Sequence, residues 1–130
     1  MEISKGKKNG IAKVYFEDGV LEQEGLWVND KQEGDWKFYF PNGNIKAIVG
    51  FKNDLQNGRS IFYYPNGKVN EVNYFKDSKP DGTMEVFYQN GVIKERSNWL
   101  NGKKNGYTYK FDSTKGLVGT KFYLNGKYYQ

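Results

Sequence analysis

The sequence predicts an all-β protein: an elongated antiparallel β-meander of about five 24-residue β-hairpin repeats, as a single-layer or coiled sheet. Three observations predict it. A step of 24 from Gly10 lands on Gly34, Gly58, Gly82 and Gly106, and a period between roughly 20 and 50 residues marks a repeat array. Five residues after each glycine stands a ring: Tyr15, Tyr39, Tyr63, Phe87 and Phe111. Turn dipeptides then recur in register as Asp18-Gly19, Asn42-Gly43, Asn66-Gly67 and Asn90-Gly91.

The first element is a partial repeat over residues 1–9. Lys5 to Gly10 echoes Asn101 to Gly106, so the chain is expected to begin late in a unit, as a fragment of a longer protein. Full repeats are placed at 10–33, 34–57, 58–81 and 82–105, with a divergent capping repeat at 106–130 and no linker to divide the domain.

Within each unit the first strand ends on the ring and on a second aromatic, Phe16, Phe40, Tyr64 or Tyr88. The Asn-Gly and Asp-Gly pairs that follow predict type I′ turns, with positive φ at both central residues. Pro41 and Pro65 stand at strand ends, where a missing N–H is tolerated. An aliphatic residue restarts the chain at Leu21, Ile45, Val69, Ile93 and Leu117, and six residues later come Trp27, Phe51, Phe75, Trp99 and Tyr123. Even spacing predicts that aliphatic and ring share a face. The polar segments after these rings, such as Asn53 to Gly58, are too short for a helix and read as tight connections. Ten strands of about five to seven residues result. In the last unit Asp112 to Gly116 replaces the compact turn, a wider and more polar hairpin suited to the end of an array.

Hydrophobic content is 37% and aromatic content 18%, so rings outweigh aliphatics and the single layer is favoured over a thick core. Stability then rests on cross-strand pairs summed along the array. The chain has no cysteine or histidine, which removes disulfides, thiol nucleophiles, the usual zinc ligands and the commonest general base. No metal or cofactor is expected. The net charge of +5 is spread along the chain rather than gathered in blocks, so nucleic acid is disfavoured as a partner. No apolar run is long enough for a membrane span, and no signal peptide opens the chain. The compartment is left open between cytoplasm and a mature exported fragment.

Carboxylate pairs at Glu22/Glu24, Asp77/Asp81 and Glu17/Asp18 are candidates for acid–base chemistry, but in a repeat array such residues serve solvated loops and strands, and the expectation is a non-enzyme. Asn101 to Gly106 lacks the Gly-Lys-Ser/Thr ending of a phosphate loop, and Leu55 stands where a calcium loop needs an oxygen ligand. The sharper candidates are the aromatic columns. Trp27, Phe51, Phe75 and Trp99 recur about 9–10 Å apart, two strand spacings, and with Tyr15, Tyr39 and Tyr63 they form the expected partner-binding set. The plain alternative is that the column packs the sheet against itself.

The segments YFPNGNIKAIVGFKNDLQNG, YYPNGKVNEVNYFKDSKPDG and FYQNGVIKERSNWLNGKKNG resemble the MORN-repeat variant family, and the resemblance runs from about Lys5 to Lys127. It implies successive hairpins in an elongated sheet and a scaffold or interaction role, and it implies no enzyme. Some bacterial members look like antitoxin components of toxin–antitoxin pairs. The expected function is therefore a non-enzymatic module that binds another protein through an extended aromatic surface. The alternatives are an antitoxin occluding a cognate toxin and a cell-wall or carbohydrate-binding array.

Overall fold

The computed structural model describes residues 2–4 and 6–130, with side chains from Gly6 onward. Of the partial unit expected over 1–9, Met1 and Lys5 lie outside the described residues. The fold is all-β, as the repeat pattern predicts. Fourteen strands form one antiparallel sheet. They are β1 (Glu2–Ser4), β2 (Lys7–Tyr15), β3 (Leu21–Val28), β4 (Lys31–Tyr39), β5 (Ile45–Lys52), β6 (Leu55–Tyr63) and β7 (Val69–Lys76). They continue as β8 (Lys79–Pro80), β9 (Gly82–Phe87), β10 (Ile93–Leu100), β11 (Lys103–Lys104), β12 (Gly106–Asp112), β13 (Gly116–Leu124) and β14 (Lys127–Tyr129). Neighbours in sequence are neighbours in the sheet, with the short β8 and β11 pairing β7 and β10.

Strands β2 to β7 are eight or nine residues long, longer than the pattern predicts. The polar segments expected to be connections are mostly strand. Only two residues turn the chain there: Asn29-Asp30, Asn53-Asp54, Asp77-Ser78, Asn101-Gly102 and Asn125-Gly126. All ten have positive φ, between 47° and 84°. These are the type I′ turns.

The Asp-Gly and Asn-Gly turns are of another kind. Gly19, Gly43, Gly67 and Gly91 have φ of 89–92°, whereas Asp18, Asn42, Asn66 and Asn90 do not enter the positive region. Gly43 N–H donates to the Phe40 carbonyl at 2.9 Å and Phe40 N–H to the Asn44 carbonyl at 2.8 Å, with the same pair of bonds in the other three turns. This is a type I turn closed by a left-handed glycine, the three-residue hairpin with a G1 bulge. The side chain decides it. Oδ1 of Asp18, Asn42, Asn66 and Asn90 accepts the N–H two residues on at 2.9–3.0 Å, and this Asx turn leaves positive φ to the glycine alone.

A further bulge, at Lys46, flips the face of the returning strand. Phe38 pairs with Ala47 but Tyr39 pairs with Ile45, so Lys46 is an extra residue. Ile45 therefore lies with Tyr39, while Ala47, Val49 and Phe51 lie with Trp36 on the other face. The expectation that aliphatic and ring share a face fails because an inserted residue breaks the two-residue alternation.

The 24-step glycines mark a second irregularity. Gly10, Gly34, Gly58, Gly82 and Gly106 have φ of 71–119°. Between β3 and β4, Glu24 pairs with Lys37 and Leu26 with Glu33, two steps against four. The extra residues need a left-handed position, which glycine supplies without a Cβ clash. Towards β5 the same strand is regular, with Gly34 opposite Phe51.

Every buried side chain lies on the Trp36 face, here the inner face. Trp36, Ala47 and Val49 are its apolar members, and Ser60, Asn73, Ser97 and Thr108 continue the row through the later units. With so few aliphatics buried, the sheet remains one layer. Trp36 lies flat on Gly25, where an added Cβ would stand 2.0 Å from Cδ2 of the indole. Gly25→Ala is expected to cost about 2–3 kcal/mol by overpacking, against about 1–2 kcal/mol for Gly43→Ala, which meets only the backbone penalty. Urea unfolding measures both, and a Gly25→Ala midpoint equal to wild type would mean that Trp36 does not rest there.

Candidate functional site

The ring column is set by the left-handed glycines. Trp27, Phe51, Phe75, Trp99 and Tyr123 each stand opposite one of them, Gly10 to Gly106 in order. On their other side Trp27 pairs with Gln32, Phe51 with Gln56, Phe75 with Pro80 and Trp99 with Lys104.

At the N-terminal end the rings meet. Trp27 and Trp36 are edge-to-face at 5.2 Å, and Trp36 and Phe51 follow at 6.4 Å, the arrangement that ring quadrupoles favour. Lys8 Nζ lies 4.2 Å from the centroid of Trp27, a cation–π contact. At the far end Lys104 Nζ stands 5.9 Å from Trp99 and 5.0 Å from Tyr123. Trp99 Nε1–H donates to Ser97 Oγ at 2.9 Å. Trp36 Nε1, Ser60 Oγ and Thr108 Oγ1 are buried on this face without a hydrogen-bond partner in the protein.

The seven ring residues singled out in the sequence do not form one site. Trp27, Phe51, Phe75 and Trp99 are half-buried on the inner face. Tyr15, Tyr39 and Tyr63 lie on the outer face, paired with Leu21, Ile45 and Val69. Tyr39 O–H donates to Glu24 Oε1 at 2.8 Å. Tyr15 is 54% exposed.

Between the rings the inner face carries three hollows in successive units. Phe38, Lys46, Ala47, Val49, Phe51, Gln56 and Phe62 line a hollow of ≈ 290 Å³. The next unit supplies Glu71, Asn73, Phe75, Pro80 and Met84, with Trp99, around ≈ 230 Å³. The third hollow, ≈ 440 Å³, lies among Val86, Tyr88, Lys94, Glu95 and Lys110. Ala47, Glu71 and Glu95 are repeat equivalents, and the groove runs from a largely apolar hollow to one of mixed charge that holds Lys94, Glu95 and Lys110. Glu95 is met by Lys110 Nζ at 4.0 Å.

Phe38, Phe62 and Trp36 were missed by the aromatic-column reading. Their signal was available: Trp36 and Phe38 stand two and four residues after Gly34, even steps that place them on the ring face once the register is known.

Three of the six carboxylates named as acid–base candidates are engaged in hydrogen bonds of the scaffold. Asp18 Oδ1 accepts the Val20 N–H, Glu24 accepts from Tyr39, and Asp81 Oδ2 accepts the Asn101 N–H at 3.2 Å. Among the described residues no cluster of three or more acidic side chains is placed to hold a metal ion.

The profile of the MORN repeat variant matches residues 8–29, 32–53, 56–77 and 80–101. The chain belongs to the MORN repeat variant family. Each matched stretch of this MORN protein begins two residues before a left-handed glycine and ends on the first residue of a type I′ turn, Asn29, Asn53, Asp77 or Asn101. No curated protein matches the chain. MORN repeats are a non-catalytic repeat type, in general mediating protein or membrane interactions. Among the described residues no helix is long and apolar enough to cross a membrane.

Partial burial raises the Tyr39 pKa above 10.0, and the hydrogen bond to Glu24 and the charge of Glu24 raise it further. The folded state thus holds this proton more tightly than the unfolded chain. Its contribution is fully present below pH 10.0 and is lost as pH rises through the folded value. Tyr39→Phe is expected to flatten part of the alkaline fall in stability. Denaturation curves between neutral and alkaline pH test this, and identical slopes for the two proteins would count against it.

Proposed function

We propose that this MORN array is a non-enzymatic module that binds a polypeptide segment of another protein along the inner groove. One observation carries the reading: equivalent positions in three successive units line open hollows on the same face. Pockets that enclose a small ligand typically have volumes of roughly 300–1,000 Å³ and bury most of its surface. Here the hollows are shallow and in series, a shape suited to successive side chains of a long partner.

The grading of the groove adds direction. Phe38, Ala47, Val49 and Phe62 offer an apolar seat, while Glu71 in the next hollow and Lys94, Glu95 and Lys110 in the third offer charges of both signs to a polar continuation. Such an anchor-plus-rim division gives affinity to the apolar end and specificity to the charged end. An antitoxin would be a special case, its partner being a toxin. Carbohydrate binding is less well supported, because Lys8 and Lys104 approach the rings that sugars would stack on.

Photocrosslinking separates the faces. Benzoylphenylalanine in place of Phe62 sits in the groove, and in place of Ile61 it sits on the opposite face of the same strand. In a lysate of the source organism, Phe62 is expected to give one stoichiometric protein adduct and Ile61 none. Adducts from Ile61 alone would move the site to the outer face, and adducts from neither would sink the reading.

A further inference from the structure

A second surface lies along the edge formed by the type I′ turns. Each turn places two residues across from each other on the outer face: Val28 and Lys31, Lys52 and Leu55, Lys76 and Lys79, Leu100 and Lys103, Leu124 and Lys127. The aliphatic members are unusually open, with Leu100 at 51% and Leu124 at 44% exposure. The lysines beside them are exposed too.

The second turn residue changes along the array. It is Asp30, Asp54, Ser78, Gly102 and Gly126 in order, so the carboxylate is lost after the second turn. The two aspartates are engaged with backbone: Asp30 Oδ1 accepts Lys8 N–H at 2.6 Å and Asp54 Oδ1 accepts Gln32 N–H at 2.9 Å. In the last turns glycine takes the place of the acid, and lysine stems pass beside it. An added Cβ at Gly102 or Gly126 would stand 3.7 or 3.5 Å from Cβ of Lys79 or Lys103. Among the described residues the ion pairs are Arg96 with Glu85 and Lys110 with Glu95, and neither uses a lysine of this edge. Of the acids nearest the patch, Asp81 accepts the Asn101 N–H, and Asp77 stands in the third turn itself.

We infer that Lys76, Lys79, Lys103 and Lys127, with Leu100 and Leu124 between them, form a docking surface for an extended acidic polypeptide. This surface is distinct from the inner groove and goes beyond the function proposed for it. Successive turns are about 9–10 Å apart, and a polyproline II segment rises about 3.1 Å per residue with three residues per turn, so a carboxylate every third residue would meet each lysine from one face. The apolar members are leucines, which suit aliphatic side chains and give nucleic-acid bases no ring to stack on. A lysine faces the leucine directly within each of the last two turns, so no continuous apolar strip is available for insertion into a bilayer.

The test is fluorescence anisotropy with a labelled peptide of Glu-Leu-Ser triplets. Lys79→Gln/Lys103→Gln/Lys127→Gln is compared with Lys13→Gln/Lys37→Gln/Lys115→Gln, which removes the same charge elsewhere. All six lysines are exposed, so both variants should melt like wild type. The edge variant is expected to lose about tenfold or more in affinity and the control less than about twofold, with wild-type binding weakened by salt. Equal losses in the two variants, no wild-type binding, or tighter binding of oligothymidylate or phosphatidylserine vesicles would overturn the assignment. The Phe62 crosslink reports on the groove separately.

Discussion

The structure depends on a hydrogen-bonded clamp between each type I′ turn and the unit before it. Asp30 N–H donates to the Lys8 carbonyl, Asp54 to Gln32, Ser78 to Gln56, Gly102 to Pro80 and Gly126 to Lys104, all at 2.8–3.0 Å. Side chains repeat the connection: Asn9 Oδ1, Glu33 Oε1, Asp81 Oδ2 and Asn105 Oδ1 accept the N–H of the first turn residue. A single sheet with three buried apolar side chains cannot hold its shape by burial alone. Links from each unit to the one before turn a row of hairpins into an array whose stability sums along its length. The opposite edge has its own links. The hydroxyls of Tyr64 and Tyr88 donate to the carbonyls of Phe87 and Phe111, and Asn44 Nδ2 donates to the Pro65 carbonyl.

From the clamp follow the bulges, and from the bulges the two unlike faces. A strand that must reach back to one neighbour while pairing regularly with the next needs extra residues, and the left-handed glycines absorb them. Gly25 leaves the space into which Trp36 leans, and Trp27 meets Trp36 edge-to-face. Units differ within this common plan. The position of Trp36 becomes Ser60, then Met84, then Thr108, and that of Ala47 becomes Glu71 and Glu95. The scaffold is repeated while the groove it carries is not.

Much of the fold was legible because turn chemistry and period are written in the residues themselves. The glycine period, the hairpins and the MORN resemblance needed no tertiary information. The turn types were exchanged for a physical reason: Asn-Gly satisfies both a type I′ turn and an Asx-stabilised type I turn with a glycine bulge, and only the bonds of the Asx oxygen choose between them. The face of Ile45 relative to Phe51 was lost at the bulge of Lys46, since one inserted residue reverses the alternation. The groove was hidden for the same reason. Phe38 and Phe62 join the Phe51 face only through the register, and no local sequence spacing records which strands lie side by side.

The turn bonds also bear on chemical ageing. An asparagine before glycine is prone to cyclise, when the glycine nitrogen attacks the side-chain carbonyl and ammonia leaves. At the Asn-Gly pairs that form turns that nitrogen is already committed: Gly43, Gly67 and Gly91 donate to Phe40, Tyr64 and Tyr88, and Gly102 and Gly126 to Pro80 and Lys104. The geometry that shapes the array thus restrains the attacking atom for as long as the turn stays closed. Spontaneous deamidation becomes a clock that runs when the sheet opens, and the lifetime of these asparagines is a measure of how rarely it does.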